Sequence, residues 1–194
     1  MTKRVCIFCA ASDKIPQVFF NETERLTRLL VEKSFGIVYG GGSIGLMGQV
    51  AKTTLELKGD IIGVIPQFMM DVEWGNPNVT DMRITETMAE RKRLLIDLAD
   101  AIIVLPGSTG TMDELFDALS DKKLGLLWKP IVVLNTNGFY NGLKTQLQTM
   151  ADYNFMTHKH LSAVTFVDTP EEALQRCIDG DDINLKTSLD EAVV

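Results

Sequence analysis

Two carboxylates, Asp113 and Glu114, follow a run of small residues in LPGSTGTMDE, residues 105–114. The run is preceded by AIIV, apolar and β-branched, and followed by LFDALSDKKLGLL, with leucines and Phe116 at helical spacing. A strand feeding a helix through small residues is a ready anion site, because free N–H groups and the positive end of the helix dipole point at the ligand. Gly107, Ser108, Thr109, Gly110 and Thr111 are therefore candidate ligands for a phosphate. The acids beside them admit two readings. Thr111-x-x-Glu114 fits a capping box, in which hydroxyl and carboxylate satisfy opposite orphan N–H groups, and local chemistry alone favours that reading. The other is catalytic and needs a cationic partner. MAERKRLL offers Arg91 and Lys92 near the start of a helix, where positive charge opposes the dipole. A solvated charged face remains the ordinary explanation for such a run.

A second glycine-rich strand end, YGGGSIGLMG, carries a formal G-x-G-x-x-G at Gly40, Gly42 and Gly45. A nicotinamide site is disfavoured: the glycines follow the second strand, and the next strand ends in Val-Ile-Pro-Gln, without a carboxylate for a ribose hydroxyl. Close packing could explain Gly45 and Gly48, whereas three consecutive glycines suggest backbone open to a phosphate at Gly41 and Gly42. Cys6-x-x-Cys9 lies on a strand, where residues three apart face opposite sides, so no metal site is expected. No cofactor is expected either.

The elements that hold these residues alternate in type. Short β-rich runs (RVCIFCA, GIVYG, DIIGVIP, AIIVLPG, PIVVLN, AVTFVD) interleave with runs of helical period. The alternation predicts an α/β fold, a three-layer α/β/α sandwich with a mostly parallel sheet of about seven strands. The two glycine-rich ends should then lie side by side at one edge of the sheet. Residues 66–86 read as one long loop, of the kind that is often functional. A chain of 194 residues suits one domain, expected over residues 1–180, followed by an acidic tail, 181–194, expected to be partly disordered.

The net charge of −7 argues against a nucleic-acid partner, and no apolar run approaches the roughly 18 residues of a membrane span. The N-terminus reads as a first strand and not as a secretory signal. Three cysteines without framework spacing suggest a reducing compartment, the cytoplasm. The stretch TMDELFDALSDKKLGLLW has more apolar residues than one buried stripe requires, which fits a homodimer or a fully buried helix.

YGGGSIGLMG, MAERK at 88–92 and PGSTGTMDE at 106–114 together resemble the Lonely Guy family of cytokinin riboside 5′-monophosphate phosphoribohydrolases, many formerly labelled lysine decarboxylases. The likeness runs from about residue 3 to 178. It implies a Rossmann-like fold, usually dimeric, and hydrolysis of the N-glycosidic bond of a purine nucleoside 5′-monophosphate, AMP or a prenylated AMP, to free base and ribose 5-phosphate. It further implies that Arg91 and Glu114 are catalytic. Ser12, Gly41, Gly42, Glu73, Lys92, Asp113 and residues 107–111 are the expected substrate-binding set. The chain departs from the family pattern at Ala10, Ala11 and Ser108, where the family has glycine, serine and glycine. Those changes keep open a nucleotide carrier that has lost turnover. Lysine decarboxylation would need a cofactor such as pyridoxal phosphate, and nothing marks its lysine.

Overall fold

The computed structural model describes residues 2–72 and 74–180. Seven strands form one sheet: β1 (Arg4–Phe8), β2 (Gly36–Tyr39), β3 (Ile61–Pro66), β4 (Met82–Thr85), β5 (Ala101–Val104), β6 (Ile131–Leu134) and β7 (Thr165–Val167). Their order is β4-β3-β2-β1-β5-β6-β7, and every neighbouring pair is parallel. The principal helices are α1 (Gln17–Glu32), α2 (Gly45–Glu56), α4 (Met88–Asp97), α5 (Thr109–Lys123), α6 (Asn141–Asp152) and α8 (Pro170–Asp179). Two single-turn helices, α3 (Gln67–Met70) and α7 (His158–Leu161), complete the set.

Parallel strands need a helical crossover each, and those helices cover both faces. Val5 and Ile7 of β1 therefore pack with Leu26, Leu30, Leu46, Val50 and Leu174 of α1, α2 and α8. Cys6 and Phe8 face the other way, toward Leu95, Leu115 and Leu147 of α4, α5 and α6. Cys9, just beyond β1, packs in the first of these clusters, so Cys6 and Cys9 sit on opposite faces.

The chain winds outward from β1 to β4, then returns to lay β5 against the other side of β1. Strand order reverses there, and the loops after β2 and β5 diverge at the carboxyl end of the sheet on either side of β1. Ala10, just beyond β1, joins both: its N–H donates to Pro106 O at 3.2 Å, and its carbonyl accepts from the N–H groups of Leu46 and Met47 at 3.0 and 3.3 Å.

Three expectations need correction. The segment read as loop, 66–86, contains α3 and β4; β4 pairs only with β3, and as an edge strand it exposes Ile84, so its four residues lack the continuous apolar run of a central strand. Helix α5 begins at Thr109 with Ser108 as its N-cap and without a side-chain cap, so Thr111 and Glu114 form no capping box and both acids lie beyond the first turn. The helix also ends at Lys123, before Gly125 at φ 72°, which leaves Leu124, Leu126 and Trp128 exposed outside it. Capping boxes do occur at Thr87/Glu90 and Thr169/Glu172, starting α4 and α8. The acidic tail lies outside the described residues.

Candidate active site

A cavity of about 460 Å³ opens at the reversal point of the sheet. Its polar lining is Gly42, Ser43, Arg91, Ser108, Gly110, Thr111 and Glu114; Ile44, Met47, Ile65, Met69, Trp74 and Met88 form an apolar wall. Ile7, Cys9 and Ala11 close it from the β1 side, and Gly40 completes the lining.

The centre of the site is an ion pair between two helices. Arg91 Nη1 donates to Glu114 Oε1 at 2.6 Å, with both side chains more than nine-tenths buried. The guanidinium also donates from Nε to Val64 O at 3.1 Å and from Nη2 to Gly40 O at 3.3 Å. Gly40 is required here, because a Cβ on it would collide with the terminal guanidinium nitrogen. Glu114 also lines the cavity, and the bond from Arg91 engages one of its two carboxylate oxygens. Burial pushes the Glu114 carboxyl above its ordinary 4.5, and the Arg91 charge and hydrogen bond pull it back. A raised native pKa means that the folded protein holds this proton more tightly than the unfolded chain. The resulting stability is full below pH 4.5 and is lost as pH rises through the native value.

The N-terminus of α5 is the candidate anion-binding element. Ser108 provides no side-chain cap, so the first-turn N–H groups of Thr109, Gly110 and Thr111 are free to meet a ligand. Ser108 has φ −95°, ordinary for an L-residue, so serine at this position introduces no backbone strain. The other glycine run serves a different purpose. The first N–H groups of α2 are spent on Ala10 O, Gly41 (φ 78°) accepts from Asn76 N at 2.8 Å, and Gly42 pairs with Gly75. This run seats Arg91 and anchors the segment that carries Met69 and Trp74. Gly45, at φ 65°, is pressed against the Ala11–Ser12 backbone, and Gly48 against Ser43, the close packing expected of both.

Of the candidate residues, Arg91, Glu114, Gly42, Ser108, Gly110 and Thr111 converge on the cavity. Gly41, Gly107 and Thr109 belong to its loops without lining it, and Ser12 accepts from Lys14 N at 3.3 Å on the exposed outside. Glu73 lies outside the described residues. Lys92 and Asp113 are drawn away from the cavity. Adjacent residues on a helix point about 100° apart, so Lys92 cannot share the face of Arg91, nor Asp113 that of Glu114. They pair with each other at 3.1 Å, with Asp117 3.5 Å from the same ammonium. Burial there disfavours the Lys92 charge, but Asp113 and Asp117 outweigh it and raise its pKa. The sequence reading missed the apolar wall; its clearest signal was Met88, one turn before Arg91 on the same face of α4. Among the described residues no group of three or more His, Cys, Asp or Glu could hold a metal.

An open parallel sheet with an uncapped helix N-terminus facing a carboxylate–guanidinium pair is the architecture of a Rossmann-like nucleotide-site protein. A family model described as "possible lysine decarboxylase" matches residues 47–177. A cytokinin riboside 5′-monophosphate phosphoribohydrolase of Mycobacterium tuberculosis is 34% identical over 173 residues, covering 89% of this chain and 92% of that protein. One of Arabidopsis thaliana is 35% identical over 170 residues, covering 87% and 73%. The chain belongs to this family, the Lonely Guy phosphoribohydrolases. The molybdenum cofactor carrier protein of Chlamydomonas reinhardtii shares the fold, with a TM-score of 0.70 at 16% identity over 92% of this chain and 99% of that one.

Replacing Arg91 with leucine leaves Glu114 buried and unpaired, and should destabilise the protein by about 3 kcal/mol at pH 7. The deficit should shrink as pH falls and Glu114 takes up a proton. Denaturant unfolding at several pH values checks this; a deficit independent of pH would contradict it.

Proposed function

We propose that the chain hydrolyses the N-glycosidic bond of an adenine-type nucleoside 5′-monophosphate, releasing the base and ribose 5-phosphate. The observation that carries this reading is the Arg91–Glu114 pair, buried in the same cavity as the free N–H groups of α5. The names of its curated relatives support the same activity.

In this scheme the phosphate sits on the N-terminus of α5, and the apolar wall receives the base. The wall suits the flat, apolar faces of adenine. As the bond to the base breaks, C1′ and the ring oxygen develop positive charge. Glu114, its Oε1 fixed by Arg91, presents Oε2 to that charge and accepts a proton from the attacking water. Arg91 acts here by holding the carboxylate. Ser108 fits its backbone without strain, so it gives the carrier reading no support, and the likeness to the carrier protein is one of fold. No lysine is among the described residues lining the cavity, so a Schiff base has no partner there.

The protein is further read as one domain over residues 1–180, acting in the cytoplasm as a homodimer. Three free, buried cysteines fit a reducing compartment. No described helix is long and apolar enough to cross a membrane. Phe116, Leu124, Leu126 and Trp128, all more than a third exposed around the C-terminal half of α5, are the surface a second copy would cover.

The purified protein should release adenine from AMP and hardly at all from adenosine, because the α5 N-terminus needs an anion to hold. Chromatography of both reactions decides this, and equal turnover of the two would contradict the assigned phosphate site. Sedimentation should show twice 21.5 kDa at micromolar concentration; a 21.5 kDa particle would reject the dimer.

A further inference from the structure

The free N–H groups of α5 are only as well placed as the turn that leads into them, Leu105 to Ser108. Its first N–H, that of Leu105, donates to Phe8 O at 2.9 Å and Pro106 has none, so beyond that point the turn is reached through two carbonyls, one on each side. Both are held. Pro106 O accepts from Ala10 N at 3.2 Å, on the side of the cavity. Leu105 O accepts from the hydroxyl of Tyr140 at 2.7 Å, from the opposite side and 35 residues away in sequence.

Tyr140 is 2% exposed and does not line the cavity. Its own position is fixed from β6. The Tyr140 N–H donates to Asn135 Oδ1 at 2.7 Å, and the Asn135 amide donates to Asn141 Oδ1 at 2.9 Å and Asp168 Oδ1 at 3.3 Å. Phe139 meets the Tyr140 ring edge-on, with centroids 4.9 Å apart and planes at 89°. Phenylalanine would fill the same space, so what tyrosine adds is its hydroxyl, which donates to the carbonyl that opens the turn and has the Gly107 N–H beside it. That bond sets the plane of the Leu105–Pro106 peptide, and with it the direction in which the following N–H groups point.

We propose that Tyr140 is a positioning residue for the phosphate end of the site, acting through Leu105 O on the N–H groups of α5. The identity of the ligand as a sugar phosphate rests on the function proposed above. Tyr140 touches no part of the substrate. Its effect is therefore confined to the phosphate-bearing half of the ligand.

The test compares affinity for the two product halves, ribose 5-phosphate and adenine, by calorimetric titration of the wild type and Tyr140→Phe. Ribose 5-phosphate should bind about five- to tenfold more weakly to the variant, the scale of one lost hydrogen bond, while adenine affinity stays within about twofold. The KM for AMP should rise in step, with kcat little changed. Phe139→Leu serves as the control: it loosens the ring packing but keeps the hydroxyl, and should leave ribose 5-phosphate affinity within about twofold of wild type. Unchanged ribose 5-phosphate affinity in Tyr140→Phe, equal weakening of both halves, an equal loss in Phe139→Leu, or no ribose 5-phosphate binding by the wild type would overturn the proposal. Because the comparison reads affinity, it decides on Tyr140 even in a protein that releases no base.

Discussion

The ion pair between Arg91 and Glu114 is the constraint around which the carboxyl end of the sheet is organised. Removing two charges from water costs several kcal/mol each, and attraction alone rarely offsets it unless the remaining donors and acceptors are also satisfied. The protein meets that condition with main-chain atoms. Strand β3 offers the carbonyl of Val64 to the guanidinium, the residue after β2 offers that of Gly40, and Gly40 has no Cβ to obstruct it. Three elements thus converge on one side chain of α4. The result is a carboxylate held on one oxygen and available on the other, the state a site needs for stabilising positive charge on a sugar.

The two glycine-rich loops divide the work. The loop after β2 spends its polar groups on neighbouring backbone, seating Arg91 and tethering the segment after β3. The loop after β5 keeps the N–H groups of α5 unspent. Ala10 ties the two together through its N–H and its carbonyl. A side chain there leaves those bonds intact, because both use the main chain. The reversal of strand order at β1 and β5 lets a loop built for one helix face a loop built for another.

Much of this was legible in the sequence, for definite reasons. Strands buried on both faces read as continuous apolar runs, so the five central strands were evident; edge strand β7 was legible too, from AVTFVD, and the alternation with helical runs implied the parallel sheet. Edge strand β4 was hidden because Arg83 and Thr85 interrupt its four residues, so that no apolar run marks it. Arg91 and Glu114 could be named from their motifs, but their neighbours Lys92 and Asp113 were included with them, although successive helix residues cannot face one cavity. The start of α5 was misplaced by three residues, with Thr111 in place of Ser108 as N-cap, because Thr111-x-x-Glu114 imitates a capping box. The apolar wall was not legible: its residues come from α2, β3, α3, α4 and the loops beside them, and only the fold brings them together.

The most direct test of this account is Glu114→Gln, which keeps the size of the side chain and an oxygen for Arg91 while removing the charge. The account predicts that adenine release from AMP falls by about a hundredfold or more, the scale for losing a positioned electrostatic and proton-accepting group. AMP affinity should change far less, because the phosphate site proposed is the backbone of α5, which the substitution leaves in place. The acid limb of the wild-type kcat/KM profile, expected above pH 4.5 because burial raises the Glu114 pKa, should disappear with it. Near-normal release of adenine with the acid limb intact would contradict the account and leave Glu114 as no more than the structural counter-ion of Arg91.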